Sequence, residues 1–313
     1  MSDVPSIGAH RRRAAAVIAA THDGVVSRAL LSDMGIDSRC VARECRAGRW
    51  KLHGRNTVGV HTGDLSAKAT QWRALWETNK NQAVLDGSSA LIAAGLRNFS
   101  ESTVHVSLTG GASGHPATGV SIHRVDRRVA DEIVRSGIPR VRPEVAAIRA
   151  AQWAKSDRQA ALILAMTIQQ RLTTPARLLR ASQQVPVRAR RRLIPALVRD
   201  VALGAQSLGE LDFLALCRQH RVPEPTHQAI RRLPNGTAYL DASWPEARMA
   251  VEIDGSGHRQ GLAVSDDHFR QNDIGMQGDL VLRMDLVGLR LEPARFMAQV
   301  RQAYLARVAA EAS

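Results

Sequence analysis

Three carboxylates in the C-terminal third of the chain, Asp241, Glu252 and Asp254, are spaced so that a single hairpin would gather them. Leu240, Ala242 and Trp244 alternate with polar neighbours, Pro245-Glu246-Ala247 interrupts, and Met249, Val251 and Ile253 alternate again. That is the period-two signature of two antiparallel strands. A turn near Glu246 pairs Leu240 with Ile253, Ala242 with Val251 and Trp244 with Met249 on the buried side. The same register sets Asp241 opposite Glu252 on the other side, with Asp254 two residues further along that face. Directly opposed side chains have Cβ atoms roughly 4.5–5.5 Å apart, where two carboxylates repel unless a cation sits between them. Oxygen-only ligands suit Mg2+ or Mn2+ better than zinc, which makes Asp241 and Glu252 the candidate metal ligands. The alternative is a pair of solvated charges on the wet face of an ordinary hairpin. The lack of Lys in the hairpin and the Gly255-Ser256-Gly257 bend after it favour the metal.

Asp241, then Glu252-Ile253-Asp254-Gly255, then His258 and Asp267-His268-Phe269-Arg270 resemble the PD-(D/E)XK nuclease superfamily, specifically the domain related to very-short-patch mismatch-repair endonucleases, over residues 201–313. The resemblance implies a restriction-endonuclease-like α/β core that hydrolyses DNA phosphodiesters with Mg2+ or Mn2+. It also implies an acid on the first helix, a position that Glu210 fits. Asp254 stands where the superfamily usually has a Lys that orients the attacking water, so Asp254 or His258 takes that role by implication. Arg270, on an expected helix over about 265–277 with Asp267 on the same side, would offset transition-state charge. The implied catalytic set is Asp241, Glu252, Asp254, His258, Glu210 and Arg270.

The elements around this set are those of a multidomain α/β protein. A chain of 313 residues with 44% apolar content can build two or three cores. The formal charge of +14 is uneven: residues 1–65 hold 10 basic and 6 acidic side chains, 66–200 hold 21 and 9, and 201–313 hold 12 and 14. A positive body beside an acidic metal site suits a polyanionic substrate. Arg supplies 39 of the 43 basic residues, a bias that a GC-rich genome also produces, so charge alone does not decide for nucleic acid. Cys40, Cys45 and Cys217 have neither zinc-ligand spacing nor a disulfide pattern, which points to the cytoplasm. No apolar run approaches the roughly 20 residues of a membrane span, so no membrane partner is expected. The short apolar stretch after Arg11-Arg12-Arg13 reads as a helix rather than a signal peptide.

Residues 1–65 read as helix, helix, helix, hairpin. The first helix covers 10–20, Ser27 can cap the second before Gly35 ends it, and Ser38 can cap the third. In the third, Val41 and Cys45 lie on one side while Arg39, Arg43 and Arg46, at i, i+4 and i+7, form a stripe on the other. Trp50–His53 and Thr57–His61 flank Gly54-Arg55-Asn56, a hairpin with Arg55 at its tip. Helix-turn-helix plus wing is the economical reading, with Arg39, Arg43, Arg46 and Arg55 meeting double-stranded DNA; a solvated helix bundle is the alternative. Gly24–Leu31, Gly48–Leu52 and Thr57–Val60 resemble the N-terminal winged helix of AbiEi-type antitoxins, transcriptional autoregulators of type IV toxin–antitoxin systems. That resemblance implies a cognate toxin as partner, where the C-terminal one implies a repair partner.

Residues 66–200 form an expected mixed α+β middle region without assignable chemistry: a helix over Gln82–Leu96, strands over Ser102–Leu108 and Gly119–Arg124, and several helices over 143–200. Gly110–Gly114 lacks the ending of a phosphate loop and reads as a surface turn; Arg188–Arg192 reads as a solvated cluster. Residues 201–313 are expected to run helix, three strands, helix, strand, helix. Two functions follow: a DNA endonuclease with its own DNA-reading domain, or a DNA-binding regulator or antitoxin in which the nuclease-like part is a scaffold.

Overall fold

A computed structural model describes residues 7–203, 213–232, 238–254 and 280–311. The protein is a mixed α/β protein, dividing into two compact units, Met1–Ala150 and Ala151–Ser313. The first holds the expected segment 1–65 and the first part of the middle region; the second holds the rest.

The N-terminal unit begins with α1 (Ile7–Thr21), β1 (Val25–Ser27), α2 (Arg28–Asp33), α3 (Ser38–Arg46), β2 (Lys51–Leu52) and β3 (Thr57–Gly59). The strands form an antiparallel sheet in the order β1-β3-β2. Ser27 caps α2 by accepting from Leu30 N, as the sequence suggests, and Gly35, at φ +71°, takes the left-handed turn that ends it. The cap of α3 is Asp37, not Ser38: its carboxylate accepts from Cys40 N at 2.8 Å, and this bond holds the Asp37 carboxyl below the usual range. A charged acceptor at a helix N-terminus is favoured over the neighbouring hydroxyl because the helix dipole is positive there. Ala15, Ala19, Val26, Leu31, Val41, Trp50 and Val58 close this small core.

The rest of the unit comprises α4 (Ala67–Asn79), β4 (Val84–Leu85), α5 (Gly87–Ala93), β5 (Val104–Thr109), β6 (Val120–Val125), β7 (Ile133–Val134), β8 (Arg140–Val141) and α6 (Pro143–Trp153), whose last residues belong to the second unit. The sheet order is β6-β5-β4-β8-β7. Only part of the helix expected over Gln82–Leu96 forms. Val84-Leu85 pair with β5 and β8 instead, and Asp86, which accepts from Gly87 N at 2.7 Å, starts the helix after them. Asp86 is fully buried and meets Arg149, which also grips Glu132. β5 and β6 run parallel although the loop between them is short, and the turn at Gly110 and Gly111 projects into open space while Arg124 Nη1 bonds the carbonyls of Gly110 and Ala112.

In the second unit α7 (Asp157–Gln169), α8 (Pro175–Gln184) and α9 (Leu193–Leu203) precede α10 (Phe213–Gln219), β9 (His227–Arg232), β10 (Ala238–Trp244), β11 (Met249–Asp254), β12 (Leu280–Asp285), α11 (Leu286–Leu291) and α12 (Pro293–Glu311). The sheet order is β12-β11-β10-β9, antiparallel except for the parallel pair β11–β12. One face packs Leu240, Trp244, Val251 and Ile253 on Phe213 of α10, Leu289 of α11 and Phe296 of α12. Trp244 is 0% exposed, its ring meets Phe213 and Tyr304 edge-on, and its Nε1 donates to Pro223 O at 2.9 Å. Burying a ring of this size contributes on the order of 5 kcal/mol, which fixes which face of the hairpin turns inward. No helix among the described residues is long and apolar enough to cross a membrane.

Candidate active site

The β10–β11 ladder has the register that the alternation predicts: Leu240 faces Ile253, Ala242 faces Val251, Trp244 faces Met249, and Asp241 faces Glu252. The turn is a 3-10 segment, Pro245–Ala247, followed by Arg248 in the left-handed region at φ +44°. The carbonyls of Ala247 and Arg248 accept from the Arg307 guanidinium of α12, and Arg248 O also accepts from Leu280 N. Thus α12 and β12 hold a backbone conformation that residues other than Gly seldom adopt.

On the face away from the core, Asp241 and Glu252 stand side by side and Arg283 of β12 pairs with Glu252 in the next ladder. Arg283 Nη2 lies 3.1 Å from Glu252 Oε2, an ion pair without the alignment of a hydrogen bond, and Glu252 is 8% exposed. The cation demanded by two opposed carboxylates is therefore supplied, in part, by the protein itself. Asp254 shares the face but pairs with Tyr239, two ladder pairs away, and two residues along a strand span about 6.6 Å. The expected convergence of three carboxylates is a pair with a neighbour. Among the described residues no group of three or more His, Cys, Asp or Glu side chains could hold a metal ion. Two opposed carboxylates still match the needs of Mg2+ or Mn2+, which take one or two carboxylates and keep several waters. Glu210, His258, Asp267 and Arg270 lie outside the described residues.

In the N-terminal unit Arg39, Arg43 and Arg46 are all exposed on α3, opposite the buried Cys40, Val41 and Glu44. Glu44 is the residue that sequence reading overlooked. It is 2% exposed and collects Arg49 at 2.6 Å, Arg43 at 3.5 Å and Arg12 at 3.6 Å, with the Arg49 bond holding its carboxyl below the usual range. Arg43 is thus partly engaged, while Arg39 and Arg46 form no salt bridge among the described residues, although Arg39 acts on the nearby Asp37 through its charge. The tip Gly54-Arg55-Asn56 is pinned as well. Glu77 of α4 accepts from Arg55 N at 2.9 Å, Asn56 N at 2.8 Å and Thr57 Oγ1 at 2.7 Å, and a Cβ on Gly54 would come within 2.5 Å of its carboxyl. The Arg55 side chain remains exposed. Arg190, in the cluster read as solvated, is an anchor: it donates to Asp157 at 2.6 Å and to Gln152 O at 3.1 Å.

Neither Arg283 nor Glu77 carries a motif. The available signal for Arg283 is a lone charge inside the apolar strand run Val281–Met284, and for Glu77 a carboxylate among the apolar residues of a helix. No protein-family model matches the chain, and no curated protein does. Among solved structures the chain is similar to the crystal structure of the RV2827C protein from Mycobacterium tuberculosis, at 16% identity and a TM-score of 0.38 over 74% of this chain and 90% of that one.

Proposed function

We propose that the protein binds double-stranded DNA and cleaves its phosphodiesters at a metal site built on Asp241 and Glu252. The observation that carries the reading is the direct opposition of these two carboxylates on adjacent strands, one of them buried. Carboxylates so placed on a purely structural sheet face would be costly without a permanent cation. Asp241 and Glu252 would hold Mg2+ or Mn2+, which when bound supplies Lewis acidity at the scissile phosphate. Asp254, next along the same face, would accept a proton from the attacking water. The PD-(D/E)XK resemblance adds Glu210, His258 and Arg270 to this set.

DNA reading is assigned to α3. The order α1, β1, α2, α3, β2, β3 with sheet order β1-β3-β2 supports a winged helix, and the exposed Arg39, Arg43, Arg46 and Arg55 support a phosphate-facing surface. A second reading is favoured by one observation: Arg283 already neutralises Glu252, so the sheet can persist without metal. In that reading the protein is a DNA-binding regulator or AbiEi-like antitoxin with a non-catalytic nuclease-like domain. Incubating the protein with supercoiled plasmid and mismatched duplexes in Mg2+, Mn2+ or EDTA separates the two. Nicked or linear product that EDTA abolishes is expected; DNA that is bound yet intact in both metals would select the regulator.

A further inference from the structure

Arg283 reaches Glu252 from the neighbouring parallel strand, and its planar guanidinium can grip a carboxylate or a phosphate with equal geometric ease. The two side chains are 25% and 10% exposed, so their attraction is only partly screened by water. A divalent ion on the same carboxylate would place like charges within a few ångströms of each other, and each would weaken the other's hold on Glu252. The two cations compete for one carboxylate. Asp241 is directly across the β10–β11 ladder and can remain a ligand while Glu252 exchanges partners.

Resting on the metal-site reading above, we propose that Arg283 is a built-in counter-cation of the carboxylate pair, which holds Glu252 while the site has no metal, competes with the incoming metal, and is then released to the DNA phosphate. This returns, from β12, a positive group to a site in which Asp254 contributes a negative one. It also explains how a buried Glu252 is tolerated in the folded protein before any metal arrives.

The test is calorimetric titration of the full chain with Mn2+, comparing wild type, Arg283→Gln and Arg283→Lys, with binding of a short duplex in Mn2+ as a second readout. Removing the competitor should tighten Mn2+ binding by at least about tenfold in Arg283→Gln, while duplex affinity falls. Arg283→Lys, a point charge without the planar fork, should lie between the two for Mn2+. If Arg283→Gln does not fold, Arg283→Lys is read against wild type by itself. Equal Mn2+ affinity in wild type and variants would overturn the counter-cation role and leave the metal site standing. Absence of Mn2+ binding in every protein would overturn both.

Discussion

His123 shows how one partly buried group couples protonation to folding. Its Nε2 lies 2.8 Å from His105 Nδ1, the two rings stack, and His105 Nε2 lies 3.3 Å from Glu101 Oε2. Burial, with the charge of His105 added, brings His123 down from 6.5 to about 4. The unfolded chain therefore binds more protons than the folded one between these values, so the contribution of His123 to stability is complete above pH 6.5 and is lost as pH falls toward 4. Thermal melts of wild type and His123→Gln between pH 7 and 4.5 should show a steeper decline in wild type; parallel profiles would contradict this. Among the groups facing His123 are His105, Ser121 and, through His105, Glu101. Single residues are also where sequence reading is weakest. Asp241 and Glu252 are legible because alternation fixes their facing, whereas Arg283, Glu44 and Glu77 gain their meaning from residues on other elements.

At the scale of elements, α3 and the hairpin beside it make separable predictions. Arg39 and Arg46 are exposed on α3 and form no salt bridge among the described residues, so each replaced by Gln should lower the slope of log K against log salt for duplex binding by about one unit. Unchanged slopes in both variants would remove this face from the DNA interface. Arg43→Glu is a different case, because it sets a second carboxylate beside the buried Glu44, so its melting temperature should drop along with its affinity. Replacing Glu77 by Ala orphans three donors around the tip, at a cost of about 1–3 kcal/mol or more. Faster hydrogen exchange at Arg55 and Asn56 amides in Glu77→Ala is the expected readout, and unchanged exchange would show the tip is held otherwise. Strands β10 and β11 were legible to the residue because Leu240, Trp244, Val251 and Ile253 alternate strictly. The helix expected over Gln82–Leu96 was not, because Val84-Leu85 carry an apolar pair that suits either state and their sheet partners lie about 20 and 55 residues away.

At the scale of the molecule, positive charge concentrates before residue 200 and the carboxylate pair lies after it, a division readable from composition alone. We assign binding and chemistry to one chain, and the proposal that DNA is cut at Asp241 and Glu252 is tested by metal-dependent plasmid cleavage by wild type, Asp241→Asn and Glu252→Gln at matched DNA occupancy. Both variants should bind DNA as wild type does and lose cleavage by at least about 100-fold, the loss expected when the group that holds a Lewis acid is removed. Cleavage at the wild-type rate by either variant would contradict it.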